Sequence, residues 1–178
     1  MFGDVNELSA KSKTPLLQYA ELKDELRKPV SEIDRMSMQT GTLYDYYGAN
    51  GKVGKINDYL SDFDMLCLAE DCGLYNSKEE TAYIVRGKAW VNNHAHILKP
   101  KSEAALQYIY YYLYYLDFNE YIKDGLGRNK LTQGNLKKIN IYIPSDYELL
   151  QFADYAKSCD KLKFEAMLRL LNLIVSIE

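Results

Sequence analysis

After Pro144 the chain contains no glycine and no proline, and this breaker-free tail constrains the fold more than any other feature. From Tyr147 to Ile177 it offers 31 consecutive residues compatible with one helix, which at ~1.5 Å per residue would reach about 46 Å. Leu149, Phe152, Ala156, Cys159, Lys163, Ala166, Leu170, Leu173 and Ile177 recur three and four residues apart in alternation. That is the spacing of a coiled-coil seam with one polar interruption, at Lys163. A seam this long exceeds what one small domain can cover, so the sequence predicts a partner helix, from a second copy or from another protein.

The residues before the tail differ in kind. All ten glycines, all four prolines, both histidines and the single tryptophan lie at or before Pro144. A length of 178 residues leaves room for one compact domain and an appendage. Leu, Ile, Val and Phe make up about a quarter of the chain, enough for a core. The expected class is α+β: an irregular, β-rich domain over residues 1–144, then one long coiled-coil-forming helix over 145–178.

Within the front part, the spacing allows an amphipathic helix around Leu16 to Arg27, stopped by Pro29. Short apolar runs at Asp64 to Ala69, Ala82 to Arg86 and Lys88 to Leu98, separated by turn formers such as Gly87, predict strands. Ser102 followed by Glu103 predicts a helix start. Leu106, Ile109, Leu113 and Leu116 then give one buried stripe, and six tyrosines between Tyr108 and Tyr115 cover the other sides. A helix so apolar all round is expected in the core rather than as a base-stacking platform. Ile139, Ile141 and Ile143 alternate with polar neighbours, a strand with one buried face.

The net charge of −3 argues against a uniformly basic, non-specific nucleic-acid binder but leaves room for a local basic face. Cys67, Cys72 and Cys159 form no CxxC pair, so neither a disulfide framework nor a zinc knuckle is expected, and a reducing cytoplasm is the natural setting. No secretory signal opens the sequence. The longest charge-free apolar run, Ala104 to Leu116, is shorter than the ~18 residues a bilayer span requires.

Catalytic motifs are missing: the sequence contains no GxSxG, HExxH, Walker lysine or GxGxxG. His94 and His96 would share one face of a strand, and with Glu70 or Asp71 nearby could chelate a metal. Hydrogen-bonded structural histidines are the better reading, and no metal site is expected. Glu70 and Asp71 before Gly73 are better read as a turn ending a strand than as a catalytic pair. Residues 123–138 are different: Lys123, Arg128, Lys130, Lys137 and Lys138 against Asp124 give a local charge of +4 in an acidic chain. Lysine and arginine neutralise phosphates, and amides such as those of Asn129, Gln133 and Asn135 can pair with adenine edges. Lys52 and Lys55 beside Asn50 form a second such patch. On composition alone, a solvated loop with ordinary surface charge explains the segment more economically.

Five strings in order carry a family resemblance. They are Tyr46-Tyr47-Gly48-Ala49-Asn50-Gly51, Val53-Gly54-Lys55-Ile56, Leu68-Ala69-Glu70-Asp71-Cys72-Gly73 and Lys88-Ala89-Trp90-Val91-Asn92-Asn93-His94-Ala95-His96, then Lys130-Leu131-Thr132 with Ile141-Tyr142-Ile143-Pro144. Together they resemble the target recognition domain of type I restriction-modification specificity subunits, over roughly Gly3 to Cys159. The resemblance implies a DNA-reading domain followed by a spacer helix, with no catalytic centre of its own. It also implies double-stranded DNA, a methyltransferase subunit holding S-adenosylmethionine, and a restriction subunit as partners. Such proteins usually carry two recognition domains and two antiparallel helices, and this sequence is about half that length. It also departs near Ser9 to Pro15 and at Ser145 to Leu150.

The residue-level expectations follow. Lys52, Lys55, Lys123, Arg128, Lys130 and Lys137 would bind phosphates, and Asn50, Asn129 and Gln133 base edges. Tyr46, Tyr47, Gly48, Trp90, Asn93 and His94 would be the frame, and Leu149, Phe152, Ala156, Cys159, Leu170, Leu173 and Ile177 a homodimer helix. Two copies paired antiparallel would hold two readers at most roughly 13 base pairs apart, at ~3.4 Å per pair. The alternative is an interaction module that has lost DNA reading and pairs with, or regulates, full-length specificity subunits.

Overall fold

The computed structural model describes residue 4, residues 13–71, residue 75, residues 81–125 and residues 128–175. In chain order the first elements are β1 (Lys13–Pro15), β2 (Ala20–Leu22), the short helix α1 (Glu32–Ser37), β3 (Tyr44–Gly48), β4 (Gly51–Ile56) and β5 (Ser61–Asp62). Next come β6 (Met65–Ala69), β7 (Ala82–Val85), β8 (Lys88–Val91), β9 (Ala95–Pro100) and helix α2 (Glu103–Tyr115). The chain continues through β10 (Lys123–Gly125), β11 (Arg128–Lys130), α3 (Gln133–Leu136) and β12 (Asn140–Tyr142) to the long helix α4 (Asp146–Val175).

Strand β6 is apolar at every position because it is covered on both faces, which removes the usual alternation. It sits inside an antiparallel sheet of order β2-β9-β6-β7. Leu66 and Leu68 point to one side, where with Leu98 they meet Leu106, Ile109 and Leu113 of α2. Met65 and Cys67 point to the other, packing with Ile97, Ala89 and Val91. That second layer is a sheet of order β4-β3-β8-β5, in which β3 and β8 run parallel. Its own cluster, Tyr46, Ile56 and Trp90, lies under Val30, Met38 and Leu60.

Helix α2 starts where the sequence predicts, with the Ser102 hydroxyl accepting from the Ala105 N–H at 3.1 Å. Its leucine stripe is core, as are Tyr108 and Tyr112. The remaining tyrosines are not all buried: Tyr110, Tyr111, Tyr114 and Tyr115 line an open cleft of about 620 Å³ against β7 and α4.

The helix expected around Leu16 to Arg27 does not form. Ala20–Leu22 instead pairs antiparallel with β9, Leu22 opposite Leu98, and covers an edge that would otherwise be bare. Beyond it Asp24 opens a 3-10 turn, Asp24–Leu26. Its Oδ1 accepts from the Ile97 N–H at 3.0 Å, and its Oδ2 lies 2.7 Å from His96 Nδ1. The run Lys88 to Leu98 is likewise two strands, because the chain crosses from one sheet to the other at Asn92–His94. There Asn92 Oδ1 accepts from the His94 N–H at 2.8 Å. Gly87, with φ +63°, makes the turn between β7 and β8.

Helix α4 extends over Asp146–Val175, close to the expected bounds. Leu149, Phe152, Ala156 and Cys159, expected to face a partner helix, are covered within the chain instead. Leu149 and Phe152 pack into the core, and the Phe152 ring stands edge-on to Tyr108 and Tyr111 at 5.4 and 5.8 Å. Ala156 is buried, Cys159 is half-buried, and Tyr111 donates to Asp160 at 2.9 Å. Helix α2 therefore supplies the partner for the front half. Further along, Leu162, Phe164, Met167 and Leu168 stand exposed. Leu170 and Leu173 lie in the described backbone of α4, while Ile177 lies outside the described residues.

Two expectations follow from this packing. Ile109→Ala should lower unfolding free energy by roughly 2–5 kcal/mol in urea titration, whereas Leu168→Ala should change a single chain by about 0.5 kcal/mol or less. The second concerns acid. Burial pushes the Asp24 carboxyl up, but the hydrogen bond and charge of His96, the Ile97 N–H and the charge of Arg27 outweigh it, so the group ionises below its ordinary range. Its contribution to stability is complete above roughly pH 4 and is lost as pH falls further. Acid titration of Asp24→Asn, followed by circular dichroism, should show a shallower loss than the parent.

Candidate nucleic-acid interface

The parallel pairing of β3 and β8 sets Tyr46 beside Trp90 and Tyr47 beside Val91, so both strands leave their sheet at the same end. Strand β6 also finishes there, with Ala69 opposite Ala95 at the start of β9. Between them lies the Asn92–His94 turn. Its Asn92 N–H donates to the Tyr47 carbonyl at 3.0 Å, and His94 Nδ1 stands 2.8 Å from Asp71 Oδ1. Asp71 in turn forms an antiparallel bridge with Lys130. Two segments that the sequence singled out far apart, Asn50–Lys55 and Asn129–Gln133, thus flank one turn at one end of the fold.

On the first side, β3 and β4 form a hairpin whose turn needs Gly51 at φ +113°. Asn50 is exposed at that turn. Lys52 and Lys55 are exposed on β4, and both reach back to Asp45 Oδ1, at 2.8 and 3.8 Å. On the second side, β10 and β11 pair with Lys123 opposite Lys130, Asp124 opposite Asn129 and Gly125 opposite Arg128. Residues 123–125 and 128–130, expected in a loop, are therefore paired strands, followed by the short α3, capped by Thr132. Asn129 is exposed, Lys130 lies 3.1 Å from Glu70 Oε1, and Lys138 lies 3.2 Å from Asn135 Oδ1. The Gln133 amide is held at both ends: Nε2 donates to Asp24 Oδ2 at 3.2 Å, and Oε1 accepts from Lys137 at 3.1 Å.

The expected frame residues carry the weight of these turns. Tyr46 is buried, and its hydroxyl accepts from the Val30 N–H at 3.3 Å. Trp90 Nε1 donates to the Lys28 carbonyl at 2.7 Å, so the two rings fix the segment 28–30 across their sheet. Tyr47 stacks on Tyr83 at 5.7 Å, and Tyr83 donates to the Gly48 carbonyl. A Cβ at Gly48 would stand 3.2 Å from the Val53 side chain, which would have to give by a few tenths of an ångström. Asn93 offers its carbonyl to Arg27 at 3.5 Å.

The two histidines do not share a strand face. His94 is in the turn, while His96 is fully buried in β9 with Nδ1 toward Asp24 and Nε2 2.8 Å from the Leu131 carbonyl. Among the described residues no cluster of three metal-ligating side chains occurs. Glu70 pairs with Arg27 and Lys130, while the Gly73 of the expected strand-ending turn lies outside the described residues. Burial raises the Glu70 carboxyl, but hydrogen bonds from Arg27 and Lys130, with the nearby charges of His96 and Arg27, bring it below its ordinary range. Asp24, Arg27, Glu70 and His96 were missed as a group. The one local sign was a histidine set between Ala95 and Ile97 in an apolar strand.

Residues 2–174 match the family described as type I restriction modification DNA specificity domain. A curated relative from Haemophilus influenzae that carries the name of a type I restriction enzyme specificity subunit is 31% identical over 130 residues, 73% of this chain and 32% of the relative. Among solved structures, the fold is similar to the type I restriction-modification S subunit of M. genitalium, with a TM-score of 0.64, 12% identity, and coverage of 94% of this chain and 44% of that one. A structure described for complex assembly and conformational transition of the type I R-M system gives a TM-score of 0.59 at 12% identity, covering 92% and 41%. This chain spans about a third of the curated relative's length and under half of these structures. With a family match running nearly end to end and a fold shared with S subunits, the chain belongs to the type I restriction-modification specificity-subunit family.

Proposed function

We propose that this chain reads one half of a bipartite DNA target and recruits a methyltransferase subunit, and with it a restriction subunit, without catalysing a reaction itself. The observation that carries the reading is the meeting of two basic, amide-bearing segments, Asn50–Lys55 and Asn129–Gln133, on either side of the Asn92–His94 turn. Phosphates would be met by Lys52, Lys55, Lys123, Arg128, Lys130 and Lys137, and base edges by Asn50, Asn129 and Gln133. S-adenosylmethionine would sit in the partner methyltransferase, and the complex would work in the cytoplasm. The exposed part of α4, with Leu162, Phe164, Met167 and Leu168, would pair with the same helix of a second copy, giving two readers on one duplex.

A second reading, an interaction module without DNA recognition, draws support from the internal pairing of Lys52, Lys55 and Lys130 and from the engaged amide of Gln133. The two separate in a reconstituted complex. A DNA reader changes the methylation pattern when it exchanges in, and a bare module exchanges in and changes nothing.

Two expectations follow. With its methyltransferase subunit, the chain should bind duplex DNA with an affinity that falls steeply with salt, and Lys137→Ala should reduce the slope of log K against log salt by about one. Salt-independent binding in gel-shift titration would contradict the phosphate assignment. Light scattering should find pairs of chains, and Leu162→Glu with Phe164→Glu should weaken the pairing by about tenfold or more. Single chains at every concentration, with or without the methyltransferase, would remove the helix-pairing reading.

A further inference from the structure

Behind Lys130 and Gln133 lies a line of ionisable side chains that runs from the protein interior to the surface. His96 is fully buried, the Asp24 side chain is 7% exposed, those of Arg27 and Glu70 are 15% exposed, and that of Lys130 is 45% exposed. The members connect without a break. His96 faces Asp24, and Asp24 lies 3.1 Å from Arg27 Nη2. Arg27 Nη1 donates to Glu70, and Glu70 receives Lys130. From this line the next stretch of chain is held at three points: His96 Nε2 to the Leu131 carbonyl at 2.8 Å, the Leu131 N–H to the Glu70 carbonyl at 2.8 Å, and Gln133 Nε2 to Asp24. Both ring nitrogens of His96 are thus engaged, one by a carboxylate and one by a backbone carbonyl.

Buried ion pairs of this kind contribute little net stability, since desolvation offsets most of the attraction, and apolar residues of similar volume would often serve the fold as well. What they supply is direction. Each bond has a required distance and angle, and the segment Lys130–Gln133 has no long strand or helix of its own to fix it: β11 is three residues and α3 is four. We propose that Asp24, Arg27, Glu70 and His96 are positioning residues that set where Lys130–Gln133 stands, and so determine which base sequence the chain prefers. This inference rests on the DNA-reading proposal above. None of the four touches DNA in it. They act through Lys130, Leu131 and Gln133.

The test uses the full chain with its methyltransferase subunit and, as probe, a pool of duplex oligonucleotides randomised at the centre. The parent chain should enrich a defined sequence. Asp24→Asn and Glu70→Gln, which keep shape and remove charge, should each reduce the preference for that sequence over random duplex by about tenfold, while affinity for random duplex falls far less. Arg27→Lys, which keeps a charge on Glu70, should restore part of the preference lost with Arg27→Gln. Amide exchange at Leu131, Asn135 and Leu136 should quicken in the charge-removing variants while exchange in β6 and β9 holds. If these variants fold and enrich the same sequence as strongly as the parent, or if exchange at Leu131 is unchanged, the positioning role is overturned and DNA reading stands. If the parent itself enriches no sequence, DNA reading falls and takes this role with it. Should Asp24→Asn fail to fold, Glu70→Gln decides alone, because it leaves the His96–Asp24 contact in place.

Discussion

The whole arrangement depends on β6 being covered from both sides. A strand with Leu66 and Leu68 against α2 and Met65 and Cys67 against the second sheet cannot slip by one residue without exchanging two cores of different shape. Its register fixes that of β7 and β9, and the end of β6 fixes where Glu70 and Asp71 emerge. The candidate interface is therefore located by apolar packing, although the side chains assigned to phosphates and bases are all polar or charged. Polar contacts then act at the last step, an ion pair from Lys130 and a hydrogen bond with His94 meeting the two carboxylates delivered there.

The same economy explains why the lysines of the interface are paired within the chain. Lys52 and Lys55 share Asp45 on a half-exposed surface, where such pairs contribute little and can exchange partners. In the proposed function a phosphate, which carries the same sign of charge as Asp45, would compete for these lysines with release of counterions. Side chains already held by an ion pair would lose less entropy on such binding. Lys130 differs, because its partner Glu70 is mostly buried and already shared with Arg27. It is the lysine whose position the interior dictates.

The sequence made the long helix, the Ser102 cap, the β6 run and the Gly87 turn legible, because each is a local signal written within one turn or one strand. It was misleading at Leu16 to Arg27, where the apolar spacing suits a helix and a strand with flanking turns alike. The exposed edge of β9, about 75 residues away in sequence, decided between them. The two basic segments were legible as composition, but their meeting depends on the parallel β3–β8 pair, which has no local signature. The cluster of Asp24, Arg27, Glu70 and His96 was hidden for the same reason, since its members come from three separate stretches. Only His96 gave a sign, because an ionisable ring between Ala95 and Ile97 in a buried strand requires partners from elsewhere.

Helix α4 shows how one periodic pattern can serve two tasks. Its seam is continuous in sequence, yet the α2 tyrosines and leucines cover it only to about Asp160. Past that point α2 has no residues left to offer, because it is 13 residues long against 30. The first half of the seam therefore anchors the helix to the domain and fixes its direction, and the second half carries that direction outward. Lys163, the polar interruption, falls at this boundary and lines the tyrosine cleft. A lysine there can lay its methylene stem along apolar surface and keep its charge in water, which suits a position where cover by the chain's own domain ends.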